Sequence, residues 1–376
     1  MSSLTRSGAP ETQPARPSVV ERAALCALAA VAWTHVVFFL VAYGFNASLA
    51  WARGEAFPGF FAVWLKWDAV AFLRIALHGY TSALTEPHPT AFFPLLPLLL
   101  RGSIAFHLGG AEAGLLISAV ASLVAFFYLY RLAEAEVGPG SGTLSVWFLA
   151  LFPASVFLVA GYTEPIFLAG AIAAFFYARE GSWRKVALPA AIATASRFSG
   201  LFVLAALAIE ALRQWRASGR SLAEPAGALA VGALPVAAYC FFLQRARGDP
   251  LFYFTDERLG WHRRFVSPFR ALINTFHHPG APIEIAAALL GLAFVIWSAR
   301  TKQWSYLVYM LLLLTSLVTS AYYLSIPRLL LSFFPAPLLL AGLTRNRPNT
   351  GLVILLISAA LSVVGVVAFT YGLGFY

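Results

Sequence analysis

Apolar side chains fall in long blocks along this chain, separated by short polar loops. Runs of spanning length lie near 22–44, 112–131, 143–160, 226–244, 282–299, 303–323, 327–343 and 350–371, with a shorter one at 165–179. Each predicts a membrane helix. The run 186–212 is interrupted at Ser196-Arg197-Phe198-Ser199-Gly200. An arginine beside a glycine is costly inside a single span, so two half-helices of eleven to fifteen residues, meeting at Arg197, are expected instead. Two further apolar patterns are shorter than the roughly 20 residues a bilayer requires. The first opens at Trp67-Asp68, carries Phe72, Leu73, Ile75, Ala76 and Leu77, and stops at Gly79. After polar residues from Tyr80 to Thr90, the second runs from Ala91 to Leu100, broken by Pro94 and Pro97 and closed by Arg101. Trp, Tyr, Lys and Arg at their rims predict short helices lying along the membrane surface.

The basic residues orient these runs. Arg179, Arg184 and Lys185 share one loop, Arg213, Arg216 and Arg220 the next, Arg300 and Lys302 another, and Arg345 and Arg347 the last. The positive-inside rule wants all four loops in the cytoplasm, together with Arg6, Arg16 and Arg22. One arrangement satisfies it: eleven membrane elements including the two half-helices, N-terminus inside, C-terminus outside. Residues 45–111 then form a large external loop and 245–281 a second one. If 91–108 crossed the membrane, every later loop would invert. Residues 1–21, rich in Ser, Pro and Ala, read as a disordered cytoplasmic tail, and 22–376 as one transmembrane domain. The 22–44 run is too long for a signal-peptide core and is expected to be a retained helix.

Composition agrees. The 376 residues are 60% hydrophobic and 11% charged, against roughly 25% charged in soluble domains, so the fold class is an all-α polytopic membrane protein. The net charge of +10 resides in short loops, where it reads as topology and anionic-lipid contact rather than nucleic-acid binding. Cys26 and Cys240 lie inside apolar runs and give no disulfide framework. His78, His88, His262, His277 and His278 form no i, i+4 pair with a further ligand, and neither HEXXH nor DxD occurs, so no metal or other cofactor is expected.

A few polar residues invite chemistry. On spacing alone Asp68 is a helix N-cap, worth about 1 kcal/mol. Glu164, in Phe-Pro-Ala-Ser-Val-Phe-Leu-Val-Ala-Gly-Tyr-Thr-Glu-Pro at 152–165, reads as a loop carboxylate or a cap. Arg101, Arg197 and Arg328 suit phosphate, since arginine stays ionised and binds two oxygens together; each can equally snorkel to headgroups or pair with a carboxylate. His88 reads as a polar loop residue or a sugar or phosphate contact. Trp67, Tyr80, Phe92, Phe93 and Trp261 read as interfacial anchors or as surfaces for a sugar face or prenyl chain. The Gly248-Asp249-Pro250 turn and Asp256-Glu257-Arg258 are candidates for shaping the acceptor side, although a turn is all the residues show there.

The order WD, FLxIAxxGY, AFFPxxPxxxR over 66–101 closely resembles the PIG-V mannosyltransferases, eukaryotic enzymes of glycolipid-anchor assembly with bacterial relatives. That family belongs to the GT-C class of membrane glycosyltransferases, whose donor is a polyprenyl-phosphate sugar. Residues 152–165 are similar to the family's SPAxVFLxAGYSE block. Arg197 falls on an arginine of its ATGVRSNGL-like stretch, and Arg328 on an arginine before a run ending in FP. The resemblance implies a GT-C fold and inverting transfer of mannose, on the external face of a plasma membrane, to a glycolipid or glycan acceptor. It implies Asp68 as general base and Glu164, Arg197, Arg328, Arg101, Trp67 and His88 around the substrates. One carboxylate suffices for such a transfer, because a phosphate leaves without the general acid that a glycosidase needs. The Tyr80–Ala91 segment is longer than the family's, which leaves the acceptor open. A transporter or flippase of a lipid-linked sugar would place similar charges among broken helices, although no inverted repeat is visible; a structural subunit of a glycan-assembly complex is a third reading.

Overall fold

The computed structural model describes residues 17–82, 85 and 87–373, so positions 1–16 of the expected tail and Glu86 lie outside the described residues. The described chain is helical throughout. Helix α1 (Val19–Arg53) starts at a capping box, Ser18 with Glu21, and stops at Gly54 in the left-handed conformation. Its 35 residues reach roughly 52 Å at about 1.5 Å each. It outruns the expected 22–44 because nothing after Gly44 breaks it; Asn46 returns its amide to the Ala42 carbonyl at 2.8 Å. Its buried face, Ala23, Ala27, Ala30, Thr34, Phe38, Ala42, Asn46 and Ala50, repeats mostly every fourth residue with small side chains. Such a seam lets helices approach closely where lipid supplies no hydrophobic drive.

The first loop holds α2 (Asp68–His78) and α3 (Leu95–Ala105). At eleven residues, roughly 16 Å, α3 is too short to cross a core of about 30 Å. Helix α4 (Gly110–Glu136) returns through the bundle, and α5 (Ser141–Ala150) follows. The run 143–160 is not one helix: α5 ends before Pro153, and a 3-10 turn at Ser155–Leu158 leads to α6 (Glu164–Arg179).

The expected half-helices are α7 (Trp183–Ser196) and α8 (Gly200–Ser218), of 14 and 19 residues. Helix α8 is longer than expected because its last turns, around Arg213 and Arg216, stay helical up to Gly219. The turn between the two is tight: a Cβ on Gly200 would come within 2.4 Å of the Thr194 Cα. Helices α9 (Ala223–Arg247), α10 (Phe252–Trp261), α11 (Pro268–Thr275), α12 (Ala281–Arg300) and α13 (Trp304–Val318) come next. The run 327–343 is split into α14 (Ile326–Leu329), a 3-10 turn and α15 (Pro335–Thr344), bent by 78° where Pro335 offers no N–H to continue the helix. Helix α16 (Pro348–Tyr371) closes the bundle.

Among the described residues five helices, α1, α4, α9, α12 and α16, are long and apolar enough to span, six with the bent α14–α15 pair. The other expected elements are shorter, broken or more polar. The chain alternates between two ends. At one, Arg345 donates to the Val137 carbonyl (2.6 Å), and Arg179 meets Glu136 (2.6 Å), Glu210 (2.5 Å) and Ser305 (3.3 Å). These ties gather the basic loops that follow α6, α8, α12 and α15. Helix α1 packs against α5, and Cys26 lies near Thr143 at the start of α5, which brings the first turns of α1 to the same end. The opposite end carries α2, α3, α10, α11 and the turn at Arg197.

Candidate functional site

Asp68 opens α2, but it is not the cap. Trp67 takes that position with φ 43° and ψ −114°, an unusual backbone for a non-glycine residue. The Asp68 carboxylate instead turns to Arg328, whose Nη1 donates to Oδ2 at 2.6 Å. The same guanidinium donates from Nε to Glu164 Oε1, also at 2.6 Å. Glu164, in the first turn of α6, has no solvent exposure. Arg197 Nη1 lies 2.9 Å from Glu164 Oε1, an ion pair off the line of its N–H bonds. Four residues from the first surface helix, α6, the broken pair and the bent pair therefore form one cluster. Burying Glu164 is tolerable because two arginines and the positive end of α6 oppose its charge.

The surroundings fix the arginine. The Arg328 guanidinium carbon lies 4.6 Å from the Tyr162 ring centroid and 4.8 Å from that of Phe157. Tyr162 donates to the Lys66 carbonyl at 3.0 Å, holding the residues that lead into Asp68. Burial first, and then the Asp68 charge, raise the Tyr162 pKa well above its ordinary value, so the hydroxyl remains a donor. Behind Arg328, Glu284 of α12 accepts from the N–H groups of Ser325 (2.9 Å) and Ile326 (2.8 Å). It thereby serves as the cap that Ser325, itself left-handed at φ 62°, does not provide.

A cavity of about 1080 Å³ opens over this cluster. Trp67, Asp68, Arg197 and Arg328 line it, together with Tyr253, Trp261, Arg263 and Arg264 of α10 and the segment after it. Asp68 is partly exposed, its side chain at 21%, and among the described residues its Oδ1 takes no hydrogen bond. A carboxylate oxygen so placed can accept a proton from a hydroxyl entering the cavity. Among the described residues no three His, Cys, Asp or Glu side chains converge as a metal would require.

The structure brings together Asp68, Trp67, Glu164, Arg197 and Arg328. It does not bring Arg101, which is exposed on α3 away from the cavity. Nor does His88 line it; its Nδ1 faces Asp256 Oδ1 at 3.4 Å. Asp256, Glu257 and Arg258 lie inside α10, beyond the turn at Gly248 that ends α9. Buried Asp256 accepts from the Thr90 N–H (3.0 Å) and hydroxyl (2.6 Å), and Tyr239 donates to the Thr90 carbonyl (2.8 Å). The polar segment before AFFP is thus clasped between α9 and α10. Sequence reasoning missed Phe157, Tyr162 and Glu284. The first two stand in the block that carries Glu164, at seven and two residues before it; nothing near Glu284 in the sequence points to Arg328.

No protein-family model matches the chain. It is 37% identical over 147 residues to GPI alpha-1,6-mannosyltransferase 2 of Homo sapiens, covering 36% of this chain and 29% of that protein. The Mus musculus protein of the same name is 33% identical over 150 residues, 37% and 30% of the two chains. The match therefore spans less than a third of these relatives' length. In fold the chain resembles ArnT from Cupriavidus metallidurans, a GT-C glycosyltransferase solved bound to undecaprenyl phosphate, with a TM-score of 0.57 at 13% identity over 92% of this chain and 76% of ArnT. The chain thus carries the GT-C fold and is related in sequence to the PIG-V mannosyltransferases, as the motifs of 66–101 implied.

Proposed function

We propose that this protein is an inverting mannosyltransferase that takes mannose from a polyprenyl phosphate and transfers it to a glycolipid or glycan. The observation that carries the reading is Asp68, with a free carboxylate oxygen at the cavity and its other oxygen fixed by Arg328. The acceptor hydroxyl gives its proton to Asp68 as its oxygen attacks the anomeric carbon from the face opposite the phosphate. The new glycosidic C–O bond forms while the bond from C1 to the phosphate oxygen breaks, and that electron pair leaves with the polyprenyl phosphate. A β-linked donor gives an α-mannoside.

Buried Glu164 holds Arg328 and Arg197 from behind, Arg197 meets sugar hydroxyls from the cavity lining, and Trp67 offers a ring to the sugar face. The ends of the bundle support external chemistry: the basic loops gather opposite the cavity, and the positive-inside rule favours such loops in the cytoplasm, in keeping with a site on the external face of a plasma membrane and a cytoplasmic N-terminus. The test supplies vesicles with labelled polyprenyl-phosphate mannose and follows the label. Appearance of mannose on a lipid or protein acceptor is expected. Movement of intact donor across the bilayer without transfer would overturn the reading in favour of a flippase.

A further inference from the structure

Five arginines line the cavity: Arg197, Arg258, Arg263, Arg264 and Arg328. Three already have carboxylate partners. Arg328 is taken by Asp68 and Glu164, Arg197 by Glu164, and Arg263 by Glu257, with Nε 3.0 Å from Oε2. Withdrawing Arg328 or Arg197 toward a phosphate would strip charge compensation from the fully buried Glu164. Arg258, on the last turn of α10, and Arg264, in the α10–α11 linker, are exposed and have no carboxylate partner among the described residues. Among the described residues, the uncompensated positive charge of the cavity lining is therefore on Arg258 and Arg264, not on the arginines paired with Asp68 and Glu164.

Exposed apolar rings stand close to these two arginines in the chain. Phe254 and Phe265 line the cavity while remaining 48% and 87% exposed, and Phe269 on α11 is 73% exposed. Helix α11 turns Ala271 and Thr275 inward and leaves Phe269 and Ile273 outside, the pattern of a helix lying in a lipid interface. A lipid-borne phosphate needs this combination of two free guanidinium groups beside a greasy, lipid-facing surface.

We propose that Arg258 and Arg264 form the phosphate site for a polyprenyl phosphate, whose chain lies across Phe265 and Phe269. This rests on the transferase reading and adds where the leaving group is held. Cleavage of the C1–O bond adds a negative charge to the phosphate, and two arginines with no competing carboxylate can take it up. Arg328 then serves to position Asp68 and Glu164.

The test measures equilibrium binding of undecaprenyl phosphate, which carries no sugar to transfer, to the full chain in detergent. Arg258→Gln with Arg264→Gln is expected to weaken binding by at least about tenfold. Arg258→Lys with Arg264→Lys keeps the charge, loses the paired geometry, and should fall between. Inorganic phosphate and phosphatidylglycerol are added as competitors and should displace the lipid poorly. Unchanged binding in the glutamine pair would overturn the proposal, as would equal displacement by phosphatidylglycerol, which would make the pair a general headgroup contact. Mannose transfer by otherwise wild-type Asp68→Asn protein would sink the general-base reading while leaving the binding result intact.

Discussion

Arg328 Nη1 sits 2.6 Å from Asp68 Oδ2, across 260 residues of chain. The pair joins the first surface helix to the bent α14–α15 element, and through Glu164 it also reaches α6 and the break at Arg197. Two segments that resemble the PIG-V family, those of Asp68 and Glu164, thus meet at the guanidinium of a third, Arg328, and Arg197 joins them through Glu164.

Replacing Asp68 by Asn keeps size and hydrogen bonding but removes the proton acceptor. We expect transfer to fall by about 10²–10⁴-fold, the usual weight of a general base, with insertion and expression retained. Initial rates with labelled donor check it; near-wild-type rates would reduce Asp68 to a structural partner of Arg328.

Arg328→Lys should behave almost as badly as Arg328→Ala. One ammonium cannot hold Asp68 and Glu164 in the two directions that the planar group spans. The alanine variant leaves buried Glu164 with Arg197 alone, and losing one member of such a cluster costs about 3–5 kcal/mol. Thermal unfolding in detergent reads the loss. If the lysine variant were fully active, the forked geometry would be irrelevant.

Glu284 never reaches the cavity, yet it satisfies two backbone N–H groups ahead of Arg328. Glu284→Ala should cost about 1–3 kcal/mol for the unsatisfied donors and lower kcat with little change in either KM, because it loosens the arginine without touching substrate. Glu284→Gln, which keeps one acceptor, should recover part of the rate. A change in KM alone would contradict this role.

Single cysteines at 101 and 216, after replacing Cys26 and Cys240, should label from opposite sides of sealed vesicles. Labelling from one side would break the alternation of ends and with it the orientation proposed for the site.

The membrane elements were readable in sequence because each is a long apolar block or one with an evident fault, such as Arg197 before Gly200. Their faults were less readable where the residues stay apolar: the breaks at Pro153 and Pro335 lie inside hydrophobic runs, and α1 extends through Asn46 because hydropathy marks where lipid ends, not where a helix does. Asp68, Glu164, Arg197 and Arg328 were found through family motifs; on spacing alone Asp68 looked like a cap. Arg101 looked equivalent to Arg197 because a sequence shows a charge at a helix end without showing which way it faces. Glu284 carried no signal, since capping a distant helix depends on packing between elements.

The backbone at Trp67 has a consequence for how this site can vary. Its φ of 43° is left-handed territory, where a β-branched side chain is badly crowded, and a residue held in such a sparsely populated conformation costs of order 1–3 kcal/mol. A glycine would relieve that crowding but free the joint that aims the neighbouring carboxylate. Among relatives that keep the aspartate, valine, isoleucine and threonine should therefore be the rarest predecessors, and the tryptophan is best understood as a hinge pin wedged on the Phe369 ring, 5.2 Å away.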